Sequence, residues 1–378
     1  MTSPEKFTFS QEQPQESTKI EEEQIKLESV REQFRHQDRP AFFDETVLDQ
    51  DKGDERRQPT DVEKEQMDGD IKKLGDIFEG SDVRWQLDGA LNVSLMKGDY
   101  IGVHKDVDLT VDPDDLERLE QQLFSKRYGL FLSSEHENPK KRKMEWVSAS
   151  EFREAPEEHS MIAAVDDQGK IREGESLNFL DVHLIKRDEQ GRPLGFSGVP
   201  LPEKWYEPQL TIYQGAEINL SHPAKVAYFK LHGKRGFDQS DLRYLAETCR
   251  LTMDDVIEIE SVLEEEFKNR KVTISTIVER ITPNITGESK PEEIFGVLMQ
   301  DEDVAGKVTK EEDKERVRKL AELIAEQDDK SPEAIQRVVL DVAGIESGIA
   351  EQLSKLQILR QRVSEVEKIR EIKDNLET

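Results

Sequence analysis

All three tryptophans (Trp85, Trp146 and Trp205) and all six tyrosines, from Tyr100 to Tyr244, fall within one stretch of a 378-residue chain. Large rings dominate core burial, so the main globular domain is confined to about 71–250. Only 34% of the residues are AVILMFWYC while 36% are charged, so much of the remainder lies outside a packed core. Residues 1–70 are rich in Glu, Gln, Asp and Lys and hold five Phe but neither Trp nor Tyr, the composition of a largely disordered acidic arm. Within that arm the spacing over Ile20–Phe34 predicts one short helix, and Ala41-Phe42-Phe43 forms an apolar cluster beside Pro40.

From residue 251 to 378 the pattern is helical, with stops at Pro283, Pro291 and Pro332 and no ring beyond Phe267 and Phe295. The last stretch sets Ile349, Leu353, Leu356, Leu359, Val363, Val366, Ile369, Ile372 and Leu376 at steps of three or four, one apolar stripe on a charged helix. Packing within the chain is favoured over a coiled-coil seam, because Arg370 and Lys373 interrupt the heptad; helix-mediated self-association is the other use of the stripe.

Charge and cysteine content exclude several classes. With 54 Lys+Arg against 83 Asp+Glu, the formal charge of −29 repels nucleic-acid phosphates and anionic membranes. The single cysteine, Cys249, cannot form an intrachain disulfide or a multi-cysteine zinc site, as suits a reducing compartment. The first residues lack the basic end and apolar run of a signal peptide, and no segment approaches the roughly 18 apolar residues of a membrane span. A soluble cytoplasmic protein with no membrane partner is expected.

In the aromatic-bearing stretch, Val83–Leu87, Val107–Val111, Gly129–Ser133, Lys143–Ser148, Ser160–Val165 and Leu177–Ile185 read as strands, and Gly89–Met96 and Leu116–Leu123 as helices. Their irregular mixing predicts an α+β fold with a mixed sheet and flanking helices rather than repeated βαβ units. The chemistry sits on two of the strands. The period of two sends Asp106 and Asp108 to one face of the first, while Val107, Leu109 and Val111 enter the core on the other. In Asn178-Phe-Leu-Asp181-Val-His183-Leu-Ile185 the same period puts Asp181 and His183 on one face. Carboxylates that share a small site repel one another unless a cation sits between them, and oxygen-only ligands suit Mg²⁺. Upstream, the small residues Gly89 and Ala90 open a helix whose free N–H groups can receive a phosphate. Of the lone groups, His104 and His183 can orient these acids, and Lys140-Lys-Arg-Lys143 reads as a turn balancing nearby Glu residues. Gly195–Gly198 and Trp205 lie in a loop that could wall a substrate, although core packing is the stronger reading for Trp205.

Gly89-Ala90, fifteen residues containing Gly98, then His104 and Asp106-Val-Asp108, followed by Leu180-Asp181-Val-His183, together resemble the nucleotidyltransferase superfamily of the DNA polymerase beta palm. The aminoglycoside- and lincosamide-nucleotidyltransferase-like branch is the most similar. Ala227-Tyr-Phe-Lys230 and Arg235-Gly-Phe-Asp238-Gln-Ser-Asp241-Leu242 are similar to that branch's later lysine-bearing helix and R-x-K-D-x-x-D-L segment, with Phe237 in place of its lysine, and the resemblance covers about 80–245.

The resemblance implies Mg²⁺-dependent transfer of a nucleoside monophosphate from a nucleoside triphosphate, ATP first among them, to a hydroxyl of a small molecule, tRNA or protein. Asp106, Asp108 and Asp181 would be catalytic and metal-binding, Gly89, Ala90 and Lys230 nucleotide-binding, and His104 and His183 supporting. Two other readings stand beside it: a catalytically weakened protein of this fold serving as an interaction or assembly module, and a metal-dependent phosphohydrolase using the same His and Asp residues.

Overall fold

The computed structural model describes residues 25–38, 56–104, 107–133, 143–154, 160–172, 179–308, 311–342 and 344–377. Asp106, the Ala41–Phe43 cluster and Lys140–Arg142 lie outside the described residues. The chain is α+β and divides into two compact units. The first comprises residues 1–185, 204–226 and 235–244, the second 186–203, 227–234 and 245–378. This division differs from a linear boundary near 250, because short excursions of the chain after the strand that bears Asp181 belong to the helical unit.

The nine strands among the described residues lie in the first unit and form one sheet in the order β1-β5-β4-β6-β7-β3-β2-β9-β8. They are β1 (His36–Asp38), β2 (Trp85–Leu87), β3 (Asp108–Val111), β4 (Tyr128–Ser133), β5 (Lys143–Trp146), β6 (Ser160–Ala164), β7 (Phe179–Leu184), β8 (Gln209–Tyr213) and β9 (Ala216–Leu220). Neighbours run antiparallel except β3 with β7 and β2 with β9. The alternation expected in β3 and β7 is realised: Leu109, Val111, Leu180 and Val182 are all buried. The helix Asp61–Phe78 opens on a capping box between Thr60 and Glu63 and buries Ile71, Leu74, Ile77 and Phe78. It approaches β9 so closely that a Cβ on Gly75 would stand 2.7 Å from Ala216 Cβ, and only glycine fits there.

Part of the expected arm is structured. Residues 25–33 are helical, and Leu27 joins Phe131, Met144, Trp146 and Met161 in a buried cluster, with Val30 and Phe34 packed on it. Arg35 donates to Glu145 at 2.9 Å and to Glu151 at 2.5 Å beside the pairing of β1 with β5. A short helix gains little from propensity alone, so its order here comes from this docking, to which composition is blind.

One buried ion cluster ties the start of the helix Leu116–Ser125 to the loop before β2. The Asp115 side chain is fully buried and accepts from the Arg84 backbone N–H at 2.7 Å, from Arg84 Nε at 2.9 Å and from Arg118. Burial raises its pKa, but the Arg84 and Arg118 bonds outweigh burial and hold the carboxyl below its ordinary value of 3.8. A carboxyl depressed on folding stabilises fully above its unfolded value and loses that contribution as pH falls through the folded one. Asp115→Asn is therefore expected to cost about 1.5–3 kcal/mol near neutrality, the range of hydrogen bonds to charged groups. The gap between the melting temperatures of the two proteins should be constant above the ordinary carboxylate range and close below it; a gap independent of pH would refute the assignment.

The second unit is helical, from Met253–Ile281 through Pro291–Gln300, Glu302–Ala305, Glu311–Glu326 and Pro332–Val342 to Ile345–Glu377. Ile274, Val278, Ile281, Ile294, Leu298, Ala321, Ile324 and Ile335 form its aliphatic core, with Phe295 packed against it. On the terminal helix Leu356, Leu359 and Val363 are buried within the unit, whereas Ile369 and Ile372 are exposed. Glu367 accepts from the Met253 N–H at 2.9 Å, and the middle of the stripe packs within the unit, where the terminal helix lies against Met253–Ile281.

Candidate functional site

The site forms where β3, β7, β2 and β9 lie side by side in the first unit. The parallel register pairs Asp108 with Asp181 and Thr110 with His183. Paired positions on parallel strands project to the same face, so the two carboxylates and the imidazole share one side of the sheet while Leu109 and Val182 occupy the other. The Asp181 N–H donates to the Val107 carbonyl at 3.0 Å and holds this register up to the residue that follows Asp106.

β2 and the turn after it place the helix Gly89–Lys97 against these acids. The Asp88 N–H donates to the Asp108 carbonyl at 2.8 Å, and Gly89 takes φ = +66°, a conformation that disfavours any side chain. A Cβ on Gly89 would stand 2.0 Å from Asp108 Oδ2. Glycine is thus required twice, for its dihedral angle and for the carboxylate resting on its Cα, which brings Asp108 to the N-terminus of the helix. Ala90, the second small residue, is buried.

Asp108 retains about a third of its side-chain exposure, and His183 Nε2 lies 3.9 Å from its Oδ1. The Asp108 carboxylate is the chief cause of a raised His183 pKa; burial opposes it, and Asp88 and Asp181 add to it. One imidazole therefore feels three carboxylates together. Arg235 adds a cation: burial works against its charge, but Asp238 first and then Asp108 and Asp241 hold its pKa above the usual value. Phe237 carries two guanidinium groups on its ring, Arg56 at 4.0 Å and Arg235 at 4.8 Å, while Arg56 also grips the buried Asp241 through bonds of 3.0 and 3.2 Å.

Beneath the turn lies a polar knot that the sequence reading missed. Lys225, fully buried on the helix Pro223–His232, donates to Asp88 Oδ2 at 2.9 Å, Thr110 Oγ1 at 2.8 Å, Gln86 Oε1 at 3.1 Å and Ser221 Oγ at 3.1 Å. Asp88 also accepts from the Thr110 and Ser221 hydroxyls. Burial lowers the lysine's pKa and the Asp88 charge pulls it back up. An acid just before the Gly89-Ala90 turn and a lysine four residues after Ser221 were the available signals, but only the parallel pairing of β2 with β9 brings them together.

Lys230, expected against the nucleotide, is buried and belongs to the second unit, whereas Lys225 belongs to the first. His104 Nε2 is 2.7 Å from Ser94 Oγ, on the helix that begins at Gly89. Trp205 is wholly buried, as core packing requires. Among the described residues no three His, Cys, Asp or Glu side chains gather as a metal-ligand set, and Asp106, one of the three expected ligands, lies outside them. No helix among the described residues is long and apolar enough to cross a membrane.

No protein-family model matches the chain, and no curated protein is significantly similar to it. Among solved structures the chain is similar to the crystal structure of an antigenic nucleotidyltransferase-like protein from Paracoccidioides brasiliensis. The likeness has 12% sequence identity and a TM-score of 0.30, over 55% of this chain and 89% of that one.

Proposed function

We propose that the protein is a Mg²⁺-dependent nucleotidyltransferase that moves a nucleoside monophosphate from a nucleoside triphosphate, ATP in the first instance, to a hydroxyl acceptor and releases pyrophosphate. The observation that carries this reading is the convergence of Asp108, register-paired with Asp181, on Gly89 at the start of the helix Gly89–Lys97. It brings two acids and a helix N-terminus, which attract a cation and a phosphate respectively, to one place.

The donor set suits Mg²⁺. This ion binds through one or two carboxylates, keeps several waters and takes its remaining ligands from substrate phosphates, and Asp108 is exposed enough to allow that. Asp106, Asp108 and Asp181 would hold it. When bound, the ion neutralises charge developing on the phosphoryl oxygens. The chain's own groups do the rest. The amides of Gly89 and Ala90 orient the triphosphate, Arg235 adds positive charge to a site rich in carboxylates, and Asp181 accepts the proton of the attacking hydroxyl. His183, its proton favoured by Asp108, holds the orientation of that carboxylate.

Binding of ATP, GTP, CTP and UTP to the full chain, measured by calorimetry with and without Mg²⁺, tests the reading before any acceptor is known. At least one triphosphate should bind only when Mg²⁺ is present and release pyrophosphate slowly to water. Failure of all four to bind with Mg²⁺ would exclude the proposal.

A further inference from the structure

Among the described residues β8 is the outermost strand of the sheet beyond β9, and it carries Leu210 and Ile212, each 61% exposed. The hairpin with β9 turns through two residues, Gln214 and Gly215, at φ of 50° and 87°. In such a hairpin the residues flanking the turn, here Tyr213 and Ala216, exchange both backbone bonds, and the pattern alternates along the strand. Gln209, Thr211 and Tyr213 therefore point their N–H and C=O groups at β9, and Leu210 and Ile212 point theirs outward. The two residues with outward backbone groups are also the two with exposed apolar side chains.

This strand is complementary to itself. Antiparallel pairing of two β8 strands about a two-fold axis at Thr211 sets Leu210 opposite Ile212 of the second copy and Ile212 opposite its Leu210. Both pairs fall at bonding positions, so four backbone hydrogen bonds form and four aliphatic side chains close into one patch. An isologous contact demands such a match of a surface with its own copy. The usual protections of an edge, an inward charge, a lysine, a bulge or a proline within the strand, are missing from Gln209-Leu210-Thr211-Ile212-Tyr213.

We infer that β8 is a self-association edge through which two copies of this chain pair antiparallel about Thr211, joining their sheets. The contact is small, so the dimer is reversible and depends on concentration. Each copy has a formal charge of −29, and Glu217 pairs with Ile212 across the hairpin, so added salt strengthens the association by screening repulsion.

Sedimentation of the full chain over a concentration series should show a mass rising from one copy to two, at lower concentration in high salt. Ile212→Pro removes an outward N–H and leaves the bonds to β9 in place, so the dimer should be lost with the melting temperature retained. Leu210→Lys, on an exposed side chain, should do the same if the proline unsettles the hairpin. In a Cys249→Ser background, Thr211→Cys sets two sulfurs across the axis at a non-bonded pair, within disulfide reach, and should oxidise to a covalent dimer. A single mass at every concentration overturns the inference. So does a dimer that survives both edge substitutions, weakens with salt or fails to cross-link at residue 211, and so does a different protein found on β8 in place of the second copy.

Discussion

Substituting Lys225 with methionine should lower the unfolding free energy by about 3–5 kcal/mol, the cost of leaving one partner of a buried ion pair without the other. The Lys225 ammonium reaches four oxygens with donor–acceptor distances between 2.8 and 3.1 Å. Its loss leaves the Asp88 carboxylate with the Thr110 and Ser221 hydroxyls alone. Methionine keeps most of the volume, so the loss is electrostatic rather than a cavity. Adding Asp88→Asn to Lys225→Met should restore part of the stability, because it removes the stranded charge. The two substitutions are in contact and should be non-additive by about 0.5–3 kcal/mol. Urea unfolding of the four proteins of the cycle measures this. A loss of under about 1 kcal/mol in the single variant would show that hydration replaces the pair at little cost.

If the proposed function holds, Asp108→Asn should reduce nucleotidyl transfer by about a thousandfold, since metal-assisted charge stabilisation is worth several kcal/mol and each 1.36 kcal/mol is a factor of ten. Asparagine keeps the shape that rests on Gly89 and removes only the negative charge, so folding should be preserved. Asp181→Asn should be comparably impaired, because the register gives it the matching position on β7. His183→Ala should lose about tenfold or less, as befits a residue that acts through Asp108. A rate for Asp108→Asn within tenfold of the unaltered protein, at saturating Mg²⁺, would remove this carboxylate from the chemistry.

The parts of the fold with strong local periodicity were legible. β3 and β7 alternate so regularly that the polar face of each follows from the sequence, while their parallel pairing, which sets Asp108 beside Asp181, does not; the helix after Gly89 matches its expected span to within a residue. β8 and β9 carry a fainter signal: Gln214-Gly215 separates two alternating runs, a hairpin pattern weaker than Asn-Gly. Lys225 was invisible for a different reason. It sits on a helix with Val226, Ala227 and Leu231, where a lysine normally reaches solvent, and only the arrangement of β2, β3 and β9 around it reveals its burial. The helix at 25–33 falls within the span expected at Ile20–Phe34, whereas the strand His36–Asp38 was hidden, because it forms only by pairing with β5, more than a hundred residues later.

The interleaving of the two units constrains how the protein can be made. Passing from one unit to the other at 185/186, 203/204, 226/227, 234/235 and 244/245, the chain leaves no single cut that yields either unit whole. On the ribosome β8 and β9 must join the sheet after residues 186–203 have emerged and are still waiting for helices not yet translated. A chain cut off near residue 250 carries residues 186–203 and 227–234 without the later helices of their own unit, and that length is the one at which a chaperone or a protease has most to bind.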